Sequence, residues 1–225
     1  MKVVAVIPCL NEATHIGEVV RKTKNYVDEV VVADDNSSDN TMPEAQYAGA
    51  KVCRFRNAER GSGANMRRGV WVSLDYQPDI IVLLDGDGQH NPNDIPALLS
   101  PILKHEADVV LGDRMVYSGM PKYRAFGNRL LSLSCNVFAE DKVSDPMTGF
   151  WAIRTDALPD ELTEQKWGAY TELLMKCRQS HKLIVSVPVR VRYHETYSEN
   201  SSTSAAHLFL NLFAKIIKWR LICKA

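Results

Sequence analysis

No stretch of this chain reaches the roughly 18 uninterrupted apolar residues that a membrane-spanning helix needs. Neither sign of charge is in surplus: 27 Lys and Arg face 27 Asp and Glu, a formal net charge of zero. A balanced chain lacks the cationic surface on which nucleic-acid binding depends, so no nucleic-acid partner is expected, although local basic clusters can still hold phosphates. The five cysteines, Cys9, Cys53, Cys135, Cys177 and Cys223, are odd in number, widely spaced and include no CxxC pair. That excludes a recognisable zinc site or disulfide framework and fits reduced thiols in a cytosolic protein. The apolar run from Met1 to Pro8 is too short for a signal peptide and lacks a small-residue cleavage site. The expectation is a protein that is soluble, or that lies on a membrane without crossing it. His90, His105, His181 and His194 show no metal-ligand spacing and read as ordinary residues, except that His90 and His194 fall near the loops predicted to line a cleft.

What is present is alternation. The chain has 225 residues, of which 45% are hydrophobic, enough for the core of one α/β unit. Short apolar runs predict strands at Val3–Ile7, Glu29–Ala33, Lys51–Phe55, Ile80–Leu84 and Asp108–Leu111. Between them, helical periodicity predicts helices at Thr14–Tyr26, Thr41–Ala50, Ala64–Tyr76 and Asp94–Lys104. This spacing is that of βαβ units and a largely parallel sheet. The second half is less regular: a helix over Arg124–Glu140, a strand over Thr148–Arg154, a helix over Tyr170–Ser180 and strand material over Leu183–Tyr193. Pro188 cannot donate to a central ladder and marks that last region as an edge or a bend. Polar loops follow the strands at Pro8–Glu12, Asp34–Thr41, Asp85–Asn91 and Gly112–Arg114. Ligands of open α/β sheets bind outside the carboxyl ends of strands, so these loops predict one cleft.

Several polar segments carry chemistry. In Ile80-Ile81-Val82-Leu83-Leu84-Asp85-Gly86-Asp87-Gly88-Gln89-His90 a strand ends in two carboxylates, each followed by glycine. Hard oxygen ligands at that spacing suit a divalent cation held against a diphosphate; an ordinary acidic turn would look the same, because Asp and Gly favour turns. In Val30 to Asp39 a strand runs into Asp34 and Asp35, where a carboxylate can accept from a nucleobase N–H or a ribose hydroxyl. Asp39 or Asn40 can equally cap the following helix. Arg60-Gly61-Ser62-Gly63 opens a helix with a basic, glycine-rich turn, suited to an anion but lacking the Gly-Lys-Ser/Thr of a nucleotide-triphosphate loop; a plain loop with solvated arginines fits as well. Arg114, Arg124 and Arg129 form a basic set after the fifth strand, either phosphate-binding forks or scattered surface residues. At the C-terminus Leu208, Phe209, Leu212, Phe213, Ile216 and Ile217 share a helical face with Lys215 and Lys218 opposite. Such a helix lies in a membrane interface or packs on the domain; the pattern is the same for both.

Together these motifs resemble glycosyltransferase family 2 enzymes of the GT-A fold, and within it the dolichyl-phosphate mannose and glucose synthase-like branch, over roughly residues 2 to 193. Ile7-Pro8-Cys9-Leu10-Asn11-Glu12 is similar to the family's opening nucleotide-binding loop. Asp34-Asp35-Asn36-Ser37-Ser38-Asp39 is similar to its DDGSxD segment with Asn for Gly, and Arg60 to Gly63 to its KGxG loop. Asp85 to His90 resembles this branch's DADGQH, Gly112-Asp113-Arg114 its G-S/D-R, and Asp145-Pro146-Met147-Thr148-Gly149-Phe150 its D-x-x-S/T-G-F. The family's basic Gly-x-Ser-Lys stretch has no clear counterpart in Glu195–Ser204.

The resemblance implies a Rossmann-like, mostly parallel sheet flanked by helices, as a GT-A domain over 1–204 with an amphipathic helix over 205–225. It implies an inverting transfer of a hexose or N-acetylhexosamine from a GDP- or UDP-sugar to a polyprenyl phosphate at the cytoplasmic face of a membrane, with Mn²⁺ or Mg²⁺. Asp87 and Gln89 would ligate the metal; Asp85 would face the donor sugar or the metal shell. Pro8, Leu10, Asn11, Glu12, Asp34, Asp35, Ser37, Arg60 and Gly63 would hold the nucleotide. Arg114 and Arg129 would meet the acceptor phosphate, with Asp145 near the reacting sugar and available as a base for a hydroxyl acceptor. A related transferase with a sugar or protein acceptor, or a non-catalytic nucleotide-sugar-binding protein, would share most of these residues. A nucleotidyltransferase is disfavoured because Pro8 to Glu12 contains no glycine.

Overall fold

Val3 to Cys9 is a run of β-branched and small apolar residues, and all seven are buried. A strand covered on both faces must be apolar throughout rather than alternating, which is why it reads so clearly. The computed structural model describes residues 1–55, 61–115, 122–136, 141–164 and 168–192, with only the backbone of 122–124. Strands and helices follow as β1 (Val3–Cys9), α1 (Ile16–Thr23), β2 (Glu29–Asp34), α2 (Thr41–Tyr47), β3 (Lys51–Arg54), α3 (Ser62–Ser73), β4 (Ile80–Leu83), α4 (Ile95–Leu103), β5 (Val109–Asp113), α5 (Lys122–Asn136), β6 (Trp151–Arg154), α6 (Gly168–Gln179) and β7 (Ile184–Pro188). Each element falls where the sequence predicts it, with ends shifted by a few residues. Arg60, residues 193–204 and the C-terminal helix expected over 205–225 lie outside the described residues, as do the last residues of the helix expected to reach Glu140. Among the described residues no helix is long and apolar enough to cross a membrane.

The strands form one seven-stranded sheet in the order β3-β2-β1-β4-β6-β5-β7. All neighbouring pairs are parallel except those made by β6, which runs antiparallel to both β4 and β5. Its direction has a functional consequence. Leu83 at the carboxyl end of β4 pairs with Trp151 at the amino end of β6. The loop before β6, residues 145–150, therefore joins the loops that follow the parallel strands. Pro188 closes β7, which is an edge strand, as proline requires.

Side chains alternate between two cores. Ala5, Ile7, Val30, Val32, Ile80 and Val82 face α1, α2 and α4. Val6, Ile81, Leu83, Val109, Leu111 and Trp151 face α3, α5 and α6. α3 comes close against the sheet at Gly69. A Cβ there would meet Val6 Cγ1 at 2.5 Å and Ala33 Cβ at 3.0 Å, and neither neighbour can swing away, since valine is stiff at χ1. Glycine thus lets α3 seat on β1 and β2 and fixes where its first turn reaches the cleft.

Gly69→Ala separates this packing constraint from helix propensity. Propensity alone would stabilise the protein by about 0.5–1 kcal/mol; the expected result is instead a loss of about 1–3 kcal/mol from overpacking, read as a lower urea midpoint.

Candidate active site

The loops after β1 and β2 are built as one piece. Asn11 and Asn36 both adopt left-handed backbone, at φ 58° and 63°; asparagine tolerates that conformation, so Asn36 stands in for a glycine without changing the turn. The Asn11 N–H donates to Ser37 Oγ at 2.9 Å, and Asn11 Oδ1 accepts the Ser38 N–H at 2.8 Å. The Glu12 N–H reaches Thr41 Oγ1 at 2.8 Å, and Asp39 accepts the Thr41 N–H at 2.9 Å, tying down the start of α2. Asp34 is buried, and its carboxylate takes Arg54 Nε at 2.5 Å and the Ser37 N–H at 3.2 Å. Its described contacts are thus internal. Asp35 accepts the Gly61 N–H at 3.0 Å, with Arg68 at 3.9 Å, which joins the opening of α3 to the same edge. Gly63 is buried there, and Leu10 stands exposed on the rim. Asn65, which no sequence signal picked out, spans β1 and β2 from α3: its Nδ2 donates to Ala33 O at 2.6 Å and to Cys9 O at 3.4 Å.

Beyond β4 the acidic turn is held from two sides. The Asp85 N–H donates to Nδ1 of His90 at 3.3 Å. His90 is buried and stacks on Phe150, with ring centroids 5.1 Å apart. Burial pushes its pKa down to about 3, with Arg114 acting in the same direction. The ring is therefore neutral, and its 3.6 Å approach to the Asp85 carboxylate is not an ion pair. On the other side Gly149 lies directly against that carboxylate, where any Cβ would collide with it. Asp87 accepts the Gln89 N–H at 2.9 Å and the Gln89 side-chain amide at 2.5 Å. The Gln89 carbonyl in turn accepts the Arg192 N–H at 2.9 Å.

The third group is cationic. Arg114 follows β5, and its Nε and an Nη donate to the two oxygens of Asp145 at 2.5 and 2.8 Å. Asp145 is buried and also takes the Asn128 amide at 2.7 Å. Arg129, the next residue of α5, is exposed, one helical step round from Asn128. The structure thus brings Arg114 and Asp145 together and turns Arg129 outward.

Charge defines the cleft between these groups. Burial raises the Glu12 pKa to about 7, with Asp87 and Asp85 adding to the rise. Asp85 is also raised to about 7, by burial and then by Asp87, while Arg114 opposes the shift. Tyr170, another residue the sequence did not flag, is buried at the start of α6 with its pKa pushed well up, by burial first and Asp85 next. Carboxylates that raise one another's pKa in a desolvated cleft are suited to a hard divalent cation. Among the described residues no three His, Cys, Asp or Glu side chains come together to hold an ion by themselves. Asp85, Asp87 and the Gln89 amide therefore fit a cation that completes its shell with water or ligand oxygens, as Mg²⁺ does with substrate phosphates.

The sequence model of glycosyl transferase family 2 matches residues 4–161. The chain is 27% identical to a UDP-N-acetylglucosamine–dolichyl-phosphate N-acetylglucosaminyltransferase of Methanococcus voltae, covering 84% of this chain and 85% of that protein. It is 28% identical to a dolichol-phosphate mannosyltransferase of Pyrococcus furiosus over 97% of this chain and 64% of the longer relative. Among solved structures, glucosyl-3-phosphoglycerate synthase of Mycobacterium tuberculosis, crystallised with Mn²⁺ and UDP-glucose, superposes with a TM-score of 0.76 at 23% identity, over 96% of this chain and 78% of that one. That likeness shows a shared fold.

The raised Glu12 pKa has a measurable cost. With a folded pKa near 7 against an ordinary 4.5, its contribution to stability is fully present below about pH 4.5 and is lost as pH rises through about 7. Glu12→Gln, melted in EDTA, is expected to raise Tm at pH 8 and to raise it much less at pH 5. Equal shifts at both pH values would show that the carboxyl is not perturbed.

Proposed function

Since this chain belongs to glycosyltransferase family 2, we propose that it transfers a hexose or N-acetylhexosamine, with inversion, from a GDP- or UDP-sugar to a polyprenyl phosphate at the cytoplasmic face of a membrane. One observation carries the proposal: the cleft has two poles of opposite charge, the Glu12–Asp85–Asp87 carboxylates and the Arg114 guanidinium, close enough that Arg114 lowers the Asp85 pKa. A reaction between two anions needs that arrangement. The named relatives that act on dolichyl or dolichol phosphate support the acceptor class.

At the acidic pole, Asp85, Asp87 and Gln89 would hold Mn²⁺ or Mg²⁺, which supplies charge neutralisation on the departing nucleoside diphosphate. The nucleotide would lie over the loops after β1 and β2: Pro8, Leu10, Asn11 and Glu12 on one side, Asp35, Ser37, Arg60 and Gly63 on the other. Asp34, bound to Arg54, would act by holding that loop in shape. At the cationic pole Arg114, held in place by Asp145, would face the acceptor phosphate as a delocalised cation, and Arg129, exposed on α5, would meet it only after its side chain swings inward. A phosphate monoester has its second pKa near 6 and is largely dianionic at pH 7, so it attacks the anomeric carbon without a general base. Holding that dianion beside an anionic donor is then the main task of the site.

The test is nucleoside diphosphate release from purified protein with Mn²⁺ or Mg²⁺, using GDP-mannose, UDP-glucose and UDP-N-acetylglucosamine with and without a short polyprenyl phosphate. Release from one donor only when the lipid phosphate is present is the expected outcome. Release that ignores the lipid and responds to a sugar or protein would reassign the acceptor, and silence throughout would point to a binding protein. In the same assay Gly149→Ala, which pushes the Asp85 carboxylate out of place, is expected to lower kcat roughly a hundredfold.

A further inference from the structure

Asp145 lies where a general base would be sought, yet its oxygens are already engaged. Both accept from the Arg114 side chain, at 2.5 and 2.8 Å, and one also accepts Asn128 Nδ2 at 2.7 Å. The Arg114 backbone N–H points at the same carboxylate, at 3.3 Å. A carboxylate has about four lone-pair sites, and the guanidinium, the amide and the backbone N–H together supply four donors to them, so the group is committed to holding Arg114. We propose that Asp145 and Asn128 are positioning residues that hold Arg114 as a fixed cation for the acceptor phosphate, and that Asp145 takes up no proton in the reaction. This rests on the acceptor being a phosphate, as proposed above.

A purely stabilising pair would be built differently. Buried ion pairs contribute little net stability compared with apolar packing, because desolvation offsets their attraction. Asn128 is buried with Oδ1 lacking any hydrogen-bond partner, which costs stability rather than adding to it. The two loops are also strapped together without this cluster: the Gly112 N–H donates to Phe150 O at 2.8 Å, and the Ser144 hydroxyl donates to the Asp113 carboxylate. The loops therefore have straps besides the cluster, whereas the plane of the guanidinium is set, among the contacts described, by its two bonds to Asp145.

The test compares wild type with Asp145→Asn and Asn128→Leu, each close in size to the residue it replaces. Binding of a short polyprenyl phosphate is measured by isothermal titration with no donor and no metal, and steady-state transfer is measured with the matching donor. Both variants are expected to bind the lipid phosphate about tenfold or more weakly, with acceptor KM rising in step and donor KM moving less than about twofold. A fall in kcat for Asp145→Asn with acceptor affinity intact would make Asp145 the base and overturn the proposal. Wild-type acceptor affinity per folded molecule in both variants, counted by nucleoside diphosphate binding, would reduce the cluster to a structural pair. Asn128→Leu guards against failure of Asp145→Asn to fold. A wild type that binds no lipid phosphate would instead remove the phosphate acceptor itself, and that result is distinct from variants that match a binding wild type.

Discussion

Glu12, Asp85 and Asp87 are held near one another at the carboxyl edge of the sheet, where burial and the neighbouring carboxylates raise the pKa values of Glu12 and Asp85. Left to themselves, like charges in that position disfavour the folded state. They persist because the strands bearing them are fixed by something stronger. Burial on both faces pins β1 and β4 in register, with Val3 opposite Ile80 through to Val6 opposite Leu83. The energy of the apolar core is what holds the carboxylates together, and hard oxygen donors gathered in this way are the chemistry that the proposed divalent cation would need. Stability and function are opposed at this edge, as is common at sites built for charged ligands.

The opposite pole depends on the same sheet through β6. A parallel strand offers the loop that follows it; an antiparallel one offers the loop that precedes it. Insertion of β6 between β4 and β5 therefore brings Asp145, Gly149 and Phe150 to the cleft from the wrong end of their strand. Gly149 then makes room for the Asp85 carboxylate, Phe150 stacks on His90, and Asp145 takes Arg114. One strand reversal thus links the acidic turn after β4 to the arginine after β5, and the two poles become a single site.

The local pattern predicted much of this. Runs such as Val30 to Ala33 and Ile80 to Leu84 announced buried strands because a strand covered on both faces cannot afford polar residues. Where polar residues begin, the strand has left the core, so the loops at Pro8, Asp34, Asp85 and Gly112 were legible as one edge. Asn36, which stands where the family resemblance implies a glycine, takes the left-handed backbone that such a position allows. Asn65, Asn128 and Tyr170 carried no such mark. Each looks like an ordinary helical residue until the element packed against it is known.

The amino-acid sequence by itself determined the strands, the helices between them and the acidic and basic loops at their ends, because those features follow from burial and turn preferences acting over a few residues. Tertiary structure alone decided that β6 is reversed, that Asp145 pairs with Arg114 across 31 residues of chain, and that Gly149 cradles Asp85. It also decided that the Glu12 and Asp85 pKa values rise to about 7. These are relations between distant segments, and desolvation and Coulomb energy depend on distances in space that no local pattern encodes.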